Sequence, residues 1–161
     1  MTSFSELIPL LVNHDVHFIV VGGAAATAHG SSRLTEDLDI VYQRTPDNIG
    51  RLVDTLAKYC PYLRGAPPGL PFRWEVQTIL AGLNFTLTTS LGALDLLGEI
   101  TGGGSYEDLV SDSIPLKLFG VECRCLNLKR LIQVKRAVGR PKDLEVIAEL
   151  EIISEEQDDD R

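Results

Sequence analysis

Two aspartates, Asp37 and Asp39, are spaced so that their carboxylates could hold divalent cations. They lie in the segment TEDLDIVY (35–42), whose alternation of polar and apolar residues predicts a β-strand. Side chains two residues apart on a strand project to the same face. Paired carboxylates suit Mg²⁺, which binds one or two protein oxygens and completes its shell with phosphate and water oxygens. Because metals held in this way can stabilise the attacking and leaving oxygens of a phosphoryl displacement, the pair indicates phosphoryl-transfer chemistry.

A third carboxylate is expected from a neighbouring strand, and Asp95 is the candidate. It interrupts the apolar run ALDLL (93–97). An acid flanked by leucines is costly unless it is paired or metal-bound. The competing interpretation is a solvated strand edge at DLD (37–39), with Asp95 near a strand end. An isolated Asp-x-Asp pattern favours this second interpretation, so the decision depends on the surrounding sequence.

Gly22 and Gly23 follow the run VHFIVV (16–21), whose β-branched and aromatic residues predict a buried strand. The next segment, AAATAHG (24–30), predicts a short helix that ends at a glycine. Glycine allows a ligand to approach the backbone closely, and N–H groups at a helix N-terminus favour a phosphate. The alternative is a tight turn without a ligand.

The combination of these motifs resembles a known signature. A hydrophobic strand ending in Gly-Gly, followed after thirteen residues by Asp-Leu-Asp-Ile, resembles the DNA polymerase beta-type nucleotidyltransferases. The segment HGSSRLTEDLDIVY (29–42), with an Arg-x-Thr-x-Asp-x-Asp pattern, is similar to the bacterial AbiEii/MenT branch of toxin-like nucleotidyltransferases. Lys135 and RPKD (140–143) resemble the basic closing motif of that branch.

The resemblance implies transfer of a nucleoside monophosphate from a nucleoside triphosphate (NTP) to an acceptor hydroxyl, with Mg²⁺ or Mn²⁺ as cofactor. It implies that Asp37 and Asp39 hold the metals, and that Asp95 completes one metal site and helps to activate the acceptor hydroxyl. The nucleotide-binding residues that it implies are Gly22, Gly23, Ser32, Arg33, Thr35, Lys135, Arg140 and Lys142.

The chain departs from the family pattern just after the Gly-Gly pair. Many members place a serine as the second residue of the pair or directly after it, whereas residues 24–26 here are alanines. Thr27, Ser31 or Ser32 would have to supply the hydroxyl instead. A degenerate nucleotidyltransferase fold, which binds a nucleotide or a partner without turnover, is therefore the alternative hypothesis.

The sequence leaves more than one class of acceptor open. The toxin-like branch implies tRNA or a protein as acceptor and an antitoxin as partner, whereas antibiotic-modifying relatives imply a small hydroxylated molecule. A metal-dependent glycosyltransferase would also use Asp-x-Asp to hold a nucleotide diphosphate. Those enzymes are generally larger, and the Gly-Gly spacing does not belong to them.

The order of predicted elements indicates an α/β (α+β) fold, a small mixed β-sheet packed by helices, with two helices at the C-terminus. The predicted helices are 3–13, 24–30, 46–59, 73–81 (with the only Trp), 126–138 and 141–153. The predicted strands are 16–21, 35–42, 84–90, 92–100 and a hairpin over 113–126 that turns near 119–120. Segments 61–72 and 102–105 are predicted loops.

The penultimate helix has a lysine on its apolar face. At about 100° per residue, Lys135 falls in the same arc as Leu128, Leu131 and Val138. A lysine on a buried face is rare unless it is paired or functional. Two compatible interpretations follow: an ion pair with Asp143 that joins the last two helices, or a contact with the triphosphate.

Length and composition limit the remaining possibilities. The 161 residues suit one nucleotidyltransferase domain (1–153) and an acidic, solvated tail (154–161). The net charge of −8 argues against a broad unaided grip on nucleic acid, although six of the 15 basic residues lie between positions 129 and 142. No apolar run reaches the ~18 residues of a membrane span. The first residues lack the features of a signal peptide, so we expect a cytoplasmic protein without a membrane partner.

Overall fold

Seven strands form one mixed β-sheet that carries the aspartates near its centre. The computed structural model describes residues 2–159. The strand order is β3-β4-β5-β2-β1-β9-β8, and a separate pair is formed by β6 and β7. The strands are β1 (Phe18–Val21), β2 (Asp37–Tyr42), β3 (Tyr62–Leu63), β4 (Phe85–Thr89), β5 (Gly92–Leu97), β6 (Glu99–Ile100), β7 (Gly104–Ser105), β8 (Ser113–Leu118) and β9 (Val121–Leu126).

Helices pack on this sheet, and the last two close the chain, as the sequence predicts. The helices are α1 (Phe4–Asn13), α2 (Gly22–Ala28), α3 (Pro46–Leu56), α4 (Val76–Ala81), α5 (Tyr106–Leu109), α6 (Leu128–Val138) and α7 (Pro141–Asp159). The strand pairs β1–β9 and β2–β5 are parallel, whereas β1–β2, β3–β4, β4–β5 and β8–β9 are antiparallel. The predicted mixed sheet with helices is confirmed.

Alternation along the central strands separates the core from the polar residues. Leu38 and Ile40 of β2, and Leu94 and Leu96 of β5, are fully buried. Burying each such side chain contributes about 1.5–3 kcal/mol to folding. Because neighbouring residues on a strand point to opposite faces, these contacts fix the register and direct the intervening aspartates to the other face.

Local sequence signals set the ends of helices α3 and α6. The Thr45 side chain accepts a hydrogen bond from the Asn48 N–H at 3.3 Å, and Pro46 occupies the first turn of α3. Asn127 caps α6 by accepting from the Arg130 N–H at 2.8 Å. Gly139 ends α6 with φ of 69°, a left-handed conformation that glycine adopts without strain. The break between α6 and α7 therefore lies where the sequence places it.

Several elements differ from the sequence-based expectation. The helix predicted from residue 73 begins at Val76, so Trp74 precedes it and donates its indole N–H to the Val53 carbonyl at 2.9 Å. The predicted loops 61–72 and 102–105 contain the short strands β3 and β7. Helix α5 has a capping box between Ser105 and Asp108 that the sequence reading missed.

The last helix is longer than expected. Helix α7 runs without a break to Asp159, so residues 154–159 of the predicted tail are helical and largely exposed. The final two residues of the predicted tail lie outside the described part of the chain. Among the helices of residues 2–159, none is both long enough and apolar enough to cross a bilayer.

Candidate active site

The three aspartates lie on one face of two neighbouring strands. Asp37 and Asp39 are on β2, and Asp39 is the register partner of Asp95 on the parallel strand β5. Hydrogen-bonded strands are roughly 4.8 Å apart, so the carboxylates of such a pair are neighbours. Their alternate residues Leu38 and Leu94 are buried in the core. The predicted convergence of two aspartates from one strand and a third from its neighbour is thus seen in the fold.

The Gly-Gly turn packs directly against this carboxylate face. Gly22 has φ of 62°, and a Cβ atom there would lie 2.3 Å from Oδ2 of Asp39. A Cβ atom on Gly23 would lie 2.8 Å from Oγ1 of Thr35. Any side chain at either position would collide with a residue of the candidate site. Glycine is required here for close approach, and at Gly22 also for the backbone conformation.

Asp39 is the most perturbed acid of the site. Burial raises the pKa of Asp39 from 3.8 to about 7, helped by hydrogen bonding to Asp95 and by the negative charges of Asp95 and Asp37, while Lys135 opposes the rise. Its Oδ1 atom is buried and has no hydrogen-bond partner among residues 2–159. A buried, unsatisfied carboxylate oxygen beside two further acids fits a bound cation.

This perturbation predicts how the stability of the metal-free protein depends on pH. The Asp39 carboxyl ionises near pH 3.8 when unfolded but keeps its proton to about pH 7 when folded. The folded state therefore binds more protons between these values, and the free energy of unfolding falls as the pH rises from about 4 to 7. In EDTA, we expect Asp39→Asn to remove much of this fall, which is on the order of a few kcal/mol. Urea denaturation of wild type and Asp39→Asn at pH 5 and pH 8 measures this difference. An identical pH dependence of the free energy of unfolding in both proteins would contradict the assignment of the raised pKa to Asp39.

Arg64 contacts two of the aspartates, although the sequence did not predict it as a residue of the site. Its Nη1 lies 3.3 Å from Oδ1 of Asp37, and its Nη2 contacts Oδ1 of Asp95. The backbone N–H of Arg64 donates to the Thr86 carbonyl at 2.9 Å, which fixes the residue at the end of β3. Thr86 is in turn the register partner of Asp95. The edge strand β3 thus delivers a cationic side chain to the aspartates.

The carboxylates fit a divalent cation in charge and chemistry, but Arg64 lies between two of them. Within residues 2–159, no three His, Cys, Asp or Glu side chains are placed as a complete ligating cluster. The guanidinium bridges Asp37 and Asp95, and the unpaired oxygen belongs to Asp39. Asp37, Asp39 and Asp95 are the residues that would hold a cation at this face of the sheet.

A basic cleft of about 540 Å³ borders the aspartates. Seven of the eight residues expected to bind nucleotide line this cleft, and Ser32 is the exception. The seven are Gly22, Gly23, Arg33, Thr35, Lys135, Arg140 and Lys142. Four of these are cationic, so the cleft offers positive charge directly beside Asp37 and Asp39.

The hydroxyl groups of the loop before β2 have other partners. Glu149 of α7 accepts from the hydroxyls of Ser31 and of Ser32, the latter at 2.9 Å. Thr27 donates to the Gly23 carbonyl at 3.1 Å. Thr35 is the hydroxyl that packs against the Gly-Gly turn, and it donates to the Asp37 carbonyl at 3.2 Å. Thr35 therefore comes nearest to the place of the missing serine.

Lys135 faces the cleft, and of the two interpretations of its position, the ion pair with Asp143 is not formed within residues 2–159. Asp143 is 3% exposed and accepts hydrogen bonds from the Arg140 side chain, with Nε to Oδ2 at 2.7 Å. In the described part of the chain, no carboxylate oxygen lies within 4.0 Å of the Lys135 ammonium. Burial lowers the pKa of Lys135, while the charges of Asp143 and Asp39 act in the opposite direction. Arg140, in the turn between α6 and α7, is the residue that pairs with Asp143. The Lys135 ammonium is therefore available to a ligand.

A second cavity of about 270 Å³ lies on the other side of Asp39 and Lys135. Its walls are partly apolar, with Leu97, Ile100 and Val134, and partly polar, with Glu99 and Thr101. The cavity and the basic cleft share the residues Gly22, Asp39, Lys135, Arg140 and Asp143. A ligand with one anionic and one apolar part could therefore span both.

Comparison with known proteins identifies the fold. No protein-family model and no curated protein matches the chain significantly. The lincosamide antibiotic adenylyltransferase LnuA, in its lincomycin-bound form, superposes with a TM-score of 0.62 and 15% identity over 94% of this chain and 98% of that one. A Thermotoga maritima protein assigned as a nucleotidyltransferase superposes with a TM-score of 0.54 and 14% identity over 92% of this chain and 94% of that one. The mixed sheet with two C-terminal helices is therefore the fold found in these nucleotidyltransferases.

Proposed function

We propose that the protein transfers a nucleoside monophosphate from an NTP to an acceptor hydroxyl, with Mg²⁺ or Mn²⁺ as cofactor. The observation that carries the proposal is the register pair Asp39–Asp95 beside the Gly-Gly turn, with Asp39 lining both the basic cleft and the second cavity. The fold shared with nucleotidyltransferases supports the same reaction class.

The two cavities suit the two halves of a nucleotide. The triphosphate is assigned to the basic cleft, where Lys135, Arg140 and Lys142 supply positive charge. The nucleoside is assigned to the second cavity, whose apolar walls suit a flat base and whose polar groups at Glu99 and Thr101 suit its edge. This assignment would put the α-phosphate near Asp39, one of the five residues that line both cavities.

Each aspartate has a role in this scheme. Asp37 and Asp39 would hold the divalent cation and Asp95 would complete its site, and the cation would supply charge stabilisation at the phosphate oxygens. Asp95 orients the acceptor hydroxyl and accepts its proton as the acceptor oxygen bonds to the α-phosphorus. The bond from the α-phosphorus to the bridging oxygen breaks, and pyrophosphate leaves toward the basic cleft.

Two classes of acceptor, a macromolecule and a small molecule, fit the proposed reaction. The resemblance to the toxin-like branch favours tRNA or a protein acceptor, with an antitoxin as regulatory partner. LnuA, which covers 94% of this chain, is an antibiotic adenylyltransferase and favours a small hydroxylated acceptor. Incubation with each labelled NTP, Mg²⁺ or Mn²⁺ and a total cell extract distinguishes them. Label in RNA, in protein or in the small-molecule fraction identifies the acceptor class, and no label in any fraction contradicts the proposal.

A binding module without turnover is the second candidate function. The absence of the family serine after the Gly-Gly turn favours it, as does the occupation of Asp37 and Asp95 by Arg64. This version predicts saturable NTP binding with no labelled product under any metal. Calorimetric titration with each NTP, run beside the transfer assay, separates the two functions.

We expect Asp95→Asn to lower the turnover number by ~10²–10³-fold, the usual contribution of a positioned acid or base. Asparagine keeps the shape of the side chain and one acceptor oxygen for Arg64, so the melting temperature should change little. Asp112→Asn, which alters an acid paired with Arg130 on the surface, is the matched control. Full activity of Asp95→Asn, or a large loss of stability in place of activity, would show that the residue is structural.

A further inference from the structure

The Arg64 side chain occupies the place between carboxylates where a cation is expected. Its two terminal nitrogens contact Oδ1 of Asp37 and Oδ1 of Asp95. These three side chains are only partly exposed, at 28%, 47% and 21% respectively. The Nε atom of Arg64 is buried and lacks a hydrogen-bond partner within residues 2–159. Arg64 thus forms ion pairs with two aspartates, although its own Nε–H group has no hydrogen-bond partner within residues 2–159.

We propose that Arg64 is a positioning residue that holds the place of the divalent cation and must leave Asp37 and Asp95 before the cation binds. The inference rests on the metal site of the proposed function. Its ground is that one guanidinium contacts acids from two strands, while the neighbouring Asp39 has a buried oxygen without a hydrogen-bond partner within residues 2–159.

Electrostatic attraction explains why the three carboxylates can bind either the Arg64 guanidinium or a divalent cation. Without a cation, three carboxylates on one face repel one another, and a guanidinium that touches two of them relieves that repulsion. A divalent cation carries twice the charge and binds the same oxygens, so cation and guanidinium compete for them. The loss of the Asp37 and Asp95 contacts is therefore part of the cost of binding the cation.

The geometry favours competition over a supporting role. A supporting arginine would bond the outer oxygens of carboxylates that already converge on a metal position. Here the guanidinium itself joins Asp37 to Asp95, and no complete ligating cluster exists in the part of the chain that the structure describes. Arg64 is anchored by its backbone to Thr86 at 2.9 Å, so its side chain can swing while β3 stays paired.

The test measures binding of Mn²⁺ alone, by electron paramagnetic resonance, to the full chain without nucleotide. Arg64→Met keeps the apolar stem and removes the charge, and we expect it to bind Mn²⁺ about tenfold more tightly than wild type. Arg136→Met is the matched control, because Arg136 pairs with Glu151 on the outer surface of α6 and α7 and its loss changes the net charge equally. The control should bind Mn²⁺ as wild type does.

A second measurement uses the wild-type protein and does not depend on the variant folding. The side-chain ¹⁵N–¹H signals of Arg64, assigned by their absence in Arg64→Lys, should shift saturably as Mg²⁺ is added. The same ionic strength of NaCl should leave them unchanged. Signals that stay unshifted through Mg²⁺ saturation would overturn the inference.

The remaining outcomes separate this inference from the proposed function. Equal or weaker Mn²⁺ binding by Arg64→Met overturns the competition and leaves nucleotidyl transfer untouched. No Mn²⁺ binding by wild type or variant overturns both the competition and the metal assignment. Tighter binding by Arg64→Met, together with no nucleotidyl transfer by wild type, supports the competition and counts against the proposed function.

Discussion

Replacing Asp37 or Asp39 by asparagine is expected to reduce nucleotidyl transfer by roughly a thousandfold while the fold stays intact. The two residues share the polar, half-buried face of β2, and neither belongs to the hydrophobic core. Asparagine has the same shape but no charge, so the change removes the cation site without creating a cavity. A bound metal contributes several kcal/mol of charge stabilisation in the transition state, and each 1.36 kcal/mol is a tenfold change in rate.

The measurement is initial rate with labelled NTP, paired with calorimetry of Mg²⁺ and nucleotide binding. In wild type the two ligands should bind in a coupled manner, and in the variants the coupling should be lost. Asp54→Asn, on the exposed side of α3, is the matched control for loss of one aspartate charge. Unchanged transfer by either site variant would refute the metal-dependent mechanism.

The sequence predicted the elements that position these aspartates because their patterns are local. The alternation in residues 35–42 and 92–97 is sufficient to direct Asp37, Asp39 and Asp95 away from the buried leucines. The prediction that Asp95 lies on a strand next to that of Asp37 and Asp39 came from the metal chemistry, which calls for a third carboxylate. No local pattern reveals that β2 and β5 pair in parallel with Asp39 opposite Asp95.

Arg64 escaped prediction because its role depends on a long-range contact. It follows a two-residue strand in a segment rich in proline and glycine, which reads as a loop. Only the pairing of β3 with β4, and of β4 with β5, brings it to Asp95. An arginine in such a segment has no sequence feature that distinguishes it from a solvated surface residue.

The pairing of Asp143 shows a different limit of sequence reasoning. Asp143 lies in the first turn of α7, and its side chain is buried, at 3% exposure. Spacing did not indicate which cation reaches it, because Lys135 and Arg140 are both near. Arg140 is three residues from Asp143 and donates to it from two side-chain nitrogens, at 2.7 and 3.2 Å. The short bidentate contact is geometrically specific, which favours the arginine.

This pairing sharpens the expectation for Lys135→Met. The change keeps an apolar side chain of similar length at this position of α6 and removes the ammonium that faces Asp39 and the basic cleft. Because Arg140 already satisfies Asp143, the variant leaves no stranded carboxylate, and its melting temperature should stay close to that of wild type. A contact between a charged donor and phosphate contributes ~1.5–3 kcal/mol, so kcat/KM for the nucleotide should fall roughly ten- to a hundredfold.

Two control proteins separate the role of Lys135 from general effects of charge and packing. Lys129→Met changes a lysine on the same helix that lies outside both cavities, and it should retain wild-type kinetics.

Adding Asp143→Leu to Lys135→Met tests coupling between the two residues. If Lys135 stabilised Asp143, the double mutant would recover stability lost in the single one, because contacting residues couple in a mutant cycle. We expect no such recovery, since the partner left unpaired by Asp143→Leu is Arg140. A stable Lys135→Met protein with full activity would refute the contact with the triphosphate. It would leave Lys135 as a half-buried cation whose charge is stabilised by the neighbouring Asp143 and Asp39.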